Sequence, residues 1–224
     1  LSKIILDLCG GTGAWSKPYK DAGYDVRLVT LPEFDVLNVT FSNGFILLKD
    51  DYNGIPIDQI YGILAAPPCT MFSFARTNAK KPRDLKKGMQ CVRACLDIIW
   101  GTMEISQNTT KKELPLKFWA LENPYYGFLK RFLGKPAMIF DPWEFGDGYQ
   151  KKTALWGHFN EPVKNPIPMT IEMKELARTN SYLQKFNRLK TADIHPEAYD
   201  FYDRQARRAI TPAGFAKAFF EANR

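Results

Sequence analysis

The stretch Lys3-Ile4-Ile5-Leu6-Asp7-Leu8-Cys9-Gly10-Gly11-Thr12-Gly13 decides the fold. A short, β-rich apolar run enters a glycine turn. A helix-like segment follows from Ala14 to Ala22, and Tyr24-Asp25-Val26-Arg27-Leu28-Val29 reads as a second strand. Strand, glycine turn, helix and strand make a βαβ unit, the building block of a parallel sheet with helices on its faces. The glycines let the backbone turn tightly and let a ligand come close to it. Their spacing is not G-x-G-x-x-G and no Lys-Ser/Thr pair follows, so neither the dinucleotide fingerprint nor the P-loop is matched.

Asp7, at the end of the first strand, suits a ligand carrying a positive or hydrogen-bond-donating group rather than a phosphate. An acidic residue ahead of a glycine-rich turn is typical of S-adenosylmethionine sites, where the methionine part carries an ammonium. Beyond the second strand, Glu33 and Asp35 are candidates for bonds to a ribose or an adenine edge; solvated loop charge is the plainer alternative. Phe45-Ile46-Leu47-Leu48 reads as a further strand, and Ile60-Tyr61-Gly62-Ile63-Leu64 as a buried one. The latter runs into Ala65-Ala66-Pro67-Pro68-Cys69-Thr70-Met71-Phe72-Ser73, where two prolines stop the strand and stiffen the chain. A cysteine held there is either a small packing residue or a nucleophile at the carboxyl edge, where open α/β sheets bind ligands.

The segment from Phe74 to Gly88 is polar and basic without apolar periodicity, which predicts a mobile loop whose cations neutralise phosphates. A helix is expected from about Leu85 to Ser106, with Val92, Cys95, Leu96, Ile99 and Met103 at helical spacing. Cys91 and Cys95 then serve packing. Lys117-Phe118-Trp119-Ala120-Leu121 predicts a strand ending in Glu122-Asn123-Pro124, a polar cluster stopped by proline. Ala137–Phe140 and Thr153–Trp156 read as late strands. Pro212 in the first turn, with Phe215, Ala218, Phe219 and Ala222 on one face, predicts a final helix.

The chain of 224 residues fits one domain, or one with a small appendage. Its four cysteines form no Cys-x-x-Cys pair and its two histidines lie far apart, so no metal site is expected. Free thiols and the lack of a signal-like segment point to a reducing, cytoplasmic setting. No apolar run approaches the ~20 residues that cross a bilayer. Lys and Arg total 31 against 24 Asp and Glu, a net charge of +7 that favours a polyanionic partner.

Taken in order, these clusters resemble the cytosine-5 DNA methyltransferases, most closely their short, phage-type members. Asp7-Leu8-Cys9-Gly10-Gly11-Thr12-Gly13 looks like the family's S-adenosylmethionine turn. Pro67-Pro68-Cys69 with Phe72-Ser73 looks like its Pro-Cys nucleophile motif, and Glu122-Asn123-Pro124 like its Glu-Asn-Val motif. Tyr149 to Trp156 sits where the Gln-x-Arg-x-Arg strand belongs, and Ile210 to Asn223 resembles the closing motif. The resemblance spans nearly the whole chain. The departures are Thr70 for the usual Gln, Pro124 for Val, and Lys151, Lys152 and Thr153 in place of the arginines. Only about fifty residues separate the Trp156 strand from the final motif, where the family carries its recognition domain.

The resemblance implies a Rossmann-like, S-adenosylmethionine-dependent methyltransferase fold, a mostly parallel sheet flanked by helices with a small recognition appendage. Residues 1–157 would form the catalytic core, 158–207 the recognition segment, and 208–224 a helix returning to the core. It implies that Cys69 adds to carbon 6 of cytosine, making carbon 5 able to accept a methyl group. Glu122 would bond ring nitrogen 3 and the exocyclic amine, and Lys151, with Lys152 as the alternative, the carbonyl oxygen. S-adenosylmethionine, leaving as S-adenosylhomocysteine, would be held by Asp7, Cys9, Gly10, Gly11, Thr12, Gly13, Trp15, Leu31, Asp35, Val36, Pro67 and Thr211. The expected partner is double-stranded DNA with the target cytosine flipped out, met by a monomer that needs neither metal nor membrane. Ser73, Arg76, Lys80, Lys81, Arg83, Lys152 and Arg207 would touch it, and Arg178, Lys185, Arg188, Lys190, Arg204 and Arg208 could hold phosphates. So small a recognition segment predicts a site of roughly two to four base pairs. Three other readings remain open at this point: methylation of RNA cytosine or a free cytosine nucleotide, a silent nucleic-acid-binding protein, and an unrelated α/β protein using the glycine turn for another nucleotide.

Overall fold

Strand β1 (Ile4–Leu8) is buried along its whole length, the mark of a strand covered on both faces in the middle of a parallel sheet. Its neighbours are β2 (Asp25–Val29) and β6 (Ile60–Ala65), both parallel to it. β7 (Phe118–Pro124) lies parallel to β6. β9 (Thr153–His158) pairs antiparallel with β7 on one side and with β8 (Met138–Phe140) on the other. The order is therefore β2-β1-β6-β7-β9-β8. The computed structural model describes residues 3–49, 53–75, 79–107, 116–147, 151–166 and 209–224.

Alternation along the central strands supplies two cores. Ile4, Leu6 and Leu8 of β1, with Ile63 and Ala65 of β6, face the long helix α2 (Leu85–Gln107), whose Val92, Cys95, Ile98 and Ile99 are buried against them. Ile5 of β1, Leu64 of β6 and Phe118 and Ala120 of β7 face the other way. That side is closed by α1 (Lys17–Asp21) and by α4 (Ala213–Ala222), the last helix of the chain; a third short helix, α3, spans Lys130–Leu133. Phe215 of α4 stacks on Phe140 at 4.0 Å, and Trp15 packs against both Phe215 and Phe219. Each such fully buried ring contributes about 1.5–3 kcal/mol, so α4 is an integral layer of the core. Asn223 clamps its end by donating to the Asn160 carbonyl and accepting from the Asn160 N–H. The molecule is thus a mixed α/β protein with a mostly parallel central sheet flanked by helices, compatible with a Rossmann-like architecture.

Four differences from expectation have physical causes. The helix predicted from Ala14 starts only at Lys17, because the turn from Gly11 to Ser16 is irregular. β7 does not stop before Glu122 but continues through Asn123 and Pro124, paired with β9 by register Glu122↔Leu155 and Pro124↔Thr153. The run after residue 45 joins a separate three-stranded sheet, β3 (Thr40–Ser42), β4 (Phe45–Leu47) and β5 (Ile55–Pro56). Asn43 and Gly44, both at positive φ, turn β3 into β4, and Asn-Gly is the strongest short hairpin signal a sequence carries. On α4 the buried face is Phe215, Ala216 and Phe219, with Ala218 and Ala222 only half-buried. The structural readings made for residues 76–78, 148–150 and 167–208 lie outside the described residues.

Candidate functional site

The strand order reverses at β1: the chain leaves it for β2 on one side and returns to β6 on the other. A crevice at the carboxyl ends of such a pair is where open α/β sheets place ligands. The register aligns three strand ends there, with Leu8 opposite Ala65 and Ala65 opposite Leu121. Cys9, Ala66 and Glu122 follow directly. Because β9 runs antiparallel, its amino end meets the carboxyl end of β7, which brings Lys151 and Lys152 to the same edge.

The turn after β1 is built from backbone. Cys9 sits at φ 57° and Gly11 at φ 56°. The Cys9 N–H donates to the Val29 carbonyl at 2.8 Å, and the Gly11 N–H to Thr30 Oγ1 at 3.2 Å, which ties the turn to the end of β2. Asp7 lies beneath it. Its Oδ2 accepts a 2.6 Å hydrogen bond from the Ser16 hydroxyl, while its buried Oδ1 has no partner among the described residues. Burial pushes the Asp7 carboxyl up to about 6, opposed by the hydrogen bonds from Ser16. A Cβ on Gly10 would overlap the Asp7 carboxylate, so only glycine lets the turn close over it. The side chain expected to meet a ligand is therefore buried beneath the turn, against Ser16.

Other residues expected around a cofactor divide in the same way. Cys9 directs its thiol at α2, where its hydrogen bond to Cys95, with burial second, raises the Cys95 pKa well above the ordinary thiol range. Trp15 and Val36 are core residues, 2% and 5% exposed. Leu31 stands 68% exposed beyond β2. Asp35 accepts from the Leu37 N–H at 3.0 Å, and the Thr12 hydroxyl accepts from the Ala14 N–H at 3.3 Å. Gly13 donates its N–H to the Gly10 carbonyl. Thr211 is half-buried and follows Ile210, which packs on Ala14. The final segment thereby returns to the glycine turn.

The turn after β6 presents a side chain instead. Pro67 is buried, and Cys69 is half-buried. The Cys69 carbonyl accepts from the N–H groups of Phe72 and Ser73, both at 2.9 Å, and the fully buried Phe72 anchors the turn in the core. Asn123 Nδ2 donates to the Pro67 carbonyl at 2.9 Å and locks this turn to β7. Asn123 was not among the expected site residues; its position beside Glu122 at a strand end was the available signal. Glu122 is half-buried. Burial raises its pKa, and the charge of Lys151 partly offsets that rise.

The two lysines separate. Lys151 is the cation felt by Glu122, and its Nζ donates to the Ile210 carbonyl at 3.5 Å. Lys152 lies 4.0 Å from Asp141 on the other side. Of the residues expected on nucleic acid, Ser73 bridges to Gly127, Lys80 and Lys81 are exposed, and Arg83 donates to the Met71 carbonyl at 3.0 Å. Arg76 and Arg207 fall outside the described residues. Among the described residues no cluster of His, Cys, Asp or Glu could hold a metal ion, and no helix is long and apolar enough to cross a membrane.

One edge of the sheet thus carries a backbone-lined turn, a thiol, a raised carboxyl group and a lysine. No family model matches this chain, and no curated protein matches it.

Proposed function

We propose that this protein is a methyltransferase that moves a methyl group from S-adenosylmethionine to carbon 5 of cytosine in DNA. The carrying observation is that Cys69 and Glu122 come from adjacent parallel strands to one carboxyl edge, joined by the Asn123–Pro67 hydrogen bond. A thiol to add to the ring and a carboxyl group with a raised pKa to bond its edge are the pair this chemistry needs around one pyrimidine.

The turn after β1 fits the cofactor in one observed respect: there is open space above Gly11, so a ligand can approach the backbone. The backbone of residues 9–13, with Asp35 and Thr211 beside it, would hold the group. S-adenosylmethionine, when bound, supplies an electrophilic methyl group.

The chain's own residues do the rest. Cys69, as thiolate, adds to carbon 6 of the ring and raises electron density at carbon 5. Protonated Glu122 donates to ring nitrogen 3 and accepts from the exocyclic amine, which stabilises the charged ring and discriminates cytosine from thymine. Burial favours that protonated form. Lys151, beside Glu122, donates to the carbonyl oxygen. Once carbon 5 carries the methyl group, a solvent water takes the carbon 5 proton and the Cys69 thiolate departs from carbon 6, which restores the aromatic ring. Pro67 and Asn123 hold Cys69 in place through the turn. The base is reached only when it leaves the duplex.

Transfer of labelled methyl from S-adenosylmethionine to DNA, RNA and nucleotide pools, with the modified base identified by mass, tests this. The expected product is 5-methylcytosine in DNA, with Cys69→Ser inactive while cofactor binding by calorimetry is nearly unchanged. Full turnover by Cys69→Ser would refute the covalent route, and transfer only to RNA or nucleotides would replace the substrate class.

A further inference from the structure

The segment following β7 carries a surface that the proposed chemistry does not use. Tyr126 is 58% exposed and Phe74 41%, large aromatic rings turned to solvent beside the Cys69 turn. The backbone that carries them is tied into the fold. The Phe74 N–H donates to the Tyr126 carbonyl, the Phe128 N–H to the Phe72 carbonyl, and the Tyr125 N–H to the Lys152 carbonyl, each at 3.0 Å. Phe74 meets Phe128 edge-on at 4.9 Å. Cations are interleaved with the rings: Arg131 lies 4.9 Å and Arg83 5.2 Å from the Phe128 centroid, and Lys130 lies 4.1 Å from that of Tyr125. Among the described residues neither Lys130 nor Arg131 pairs with a carboxylate.

Aromatic side chains, with only two rotatable bonds, lose little entropy when a flat partner stacks on them, and cations beside them suit a backbone of phosphates. Every base has a π-face, but in a duplex that face is already stacked; only an opened strand can offer it. We propose that Tyr126 and Phe74, with Lys130 and Arg131, form a stacking platform for unpaired DNA bases beside the one that enters the crevice. The platform holds the opened strand at the moment the duplex would otherwise reclose. It lowers the cost of base extrusion by giving the exposed neighbours a substitute stack. Its place in a reaction rests on the function proposed above; its affinity for single-stranded DNA does not.

Fluorescence anisotropy with a labelled 20-nucleotide single strand, the corresponding duplex and the same sequence as RNA tests the proposal on the full chain. Tyr126→Ala should weaken single-stranded DNA binding about tenfold and duplex binding much less. Tyr126→Phe, which keeps the ring, should stay within about twofold of wild type. Arg131→Ala should weaken every form and reduce the magnitude of the logarithmic salt slope by about 1. Circular dichroism checks that each variant is folded. Unchanged binding by Tyr126→Ala, or an equal loss on duplex and single strand, overturns the platform. Tighter, Tyr126-dependent binding of the RNA overturns DNA as its partner. Labelled methyl transfer on the same samples keeps the two ideas apart. Transfer with Tyr126-independent binding sinks the platform alone, and Tyr126-dependent binding without transfer sinks the methyltransferase reading alone.

Discussion

The turns after β1 and β6 stand side by side at one sheet edge and are built in opposite ways. The first is glycine-rich and turns its side chains inward: Asp7 under Gly10, Cys9 toward Cys95, Trp15 onto α4. What remains for a ligand is the open space above Gly11. The second is stiffened by proline and anchored by Phe72, and Cys69 with Glu122 is its offering. The two carboxyl groups repeat the contrast. Both have raised pKa values through burial. Asp7 is sealed against a serine hydroxyl, while Glu122 is half-buried and feels the charge of Lys151. The lesson is that a raised carboxyl group at a strand end has two uses, to shape a turn or to hold a proton for chemistry. Access distinguishes them.

The largest expected effect breaks the comparison on the Glu122 side. Glu122→Gln keeps the size, the burial and a hydrogen-bond donor but removes the acidic proton that can pass to ring nitrogen 3, and methyl transfer should fall roughly 10²–10⁴-fold with little change in melting temperature. Steady-state transfer of labelled methyl reads the loss; activity within threefold of wild type would assign the proton to another group.

Asp7 should instead report through stability. Its folded-state pKa of about 6 lies above the ordinary value of 3.8. The unfolded chain therefore releases this proton first as pH rises, and stability is lost between about pH 4 and pH 6. Asp7→Asn should remove that loss and gain up to about 3 kcal/mol over wild type at pH 8, provided the amide still accepts from Ser16. Urea denaturation at pH 4 and pH 8 measures it; parallel pH dependences in the two proteins would contradict the assignment.

A smaller effect sharpens the geometry of the same turn. Gly10→Ala sets a methyl group against the Asp7 carboxylate and should cost about 1–3 kcal/mol. In an Asp7→Ala background the penalty should shrink, because the two side chains then no longer compete for one space. A double-mutant cycle of thermal unfolding gives the coupling; additive effects would mean that the clash is relieved elsewhere.

Much of this was legible in the sequence because it rests on local pattern. The glycine turn after an apolar run, α2 at helical spacing, proline-bounded β6 and the aromatic face of α4 each satisfy short-range rules. The small sheet was not read from the sequence: only the run after residue 45 reads as a strand, because the sheet's strands are two or three residues long and the turn at Asn43-Gly44 was not recognised. The extension of β7 through Pro124 was hidden because proline at a strand end is tolerated only where a neighbour allows it, and that neighbour, β9, comes later in the chain.

By itself, the sequence determined which residue types stand at strand ends: an acid before glycines, a cysteine after prolines, a glutamate before asparagine and proline. Spacing along the chain is enough for that. Tertiary structure alone decided what each one faces. The antiparallel course of β9 brings Lys151 to Glu122 and leaves Lys152 with Asp141. The closure of Gly10 over Asp7 hides a carboxylate that the sequence leaves open to a ligand. Burial, access and charge pairing depend on residues distant in the chain, and those properties separate a group that shapes the fold from one that is available to react.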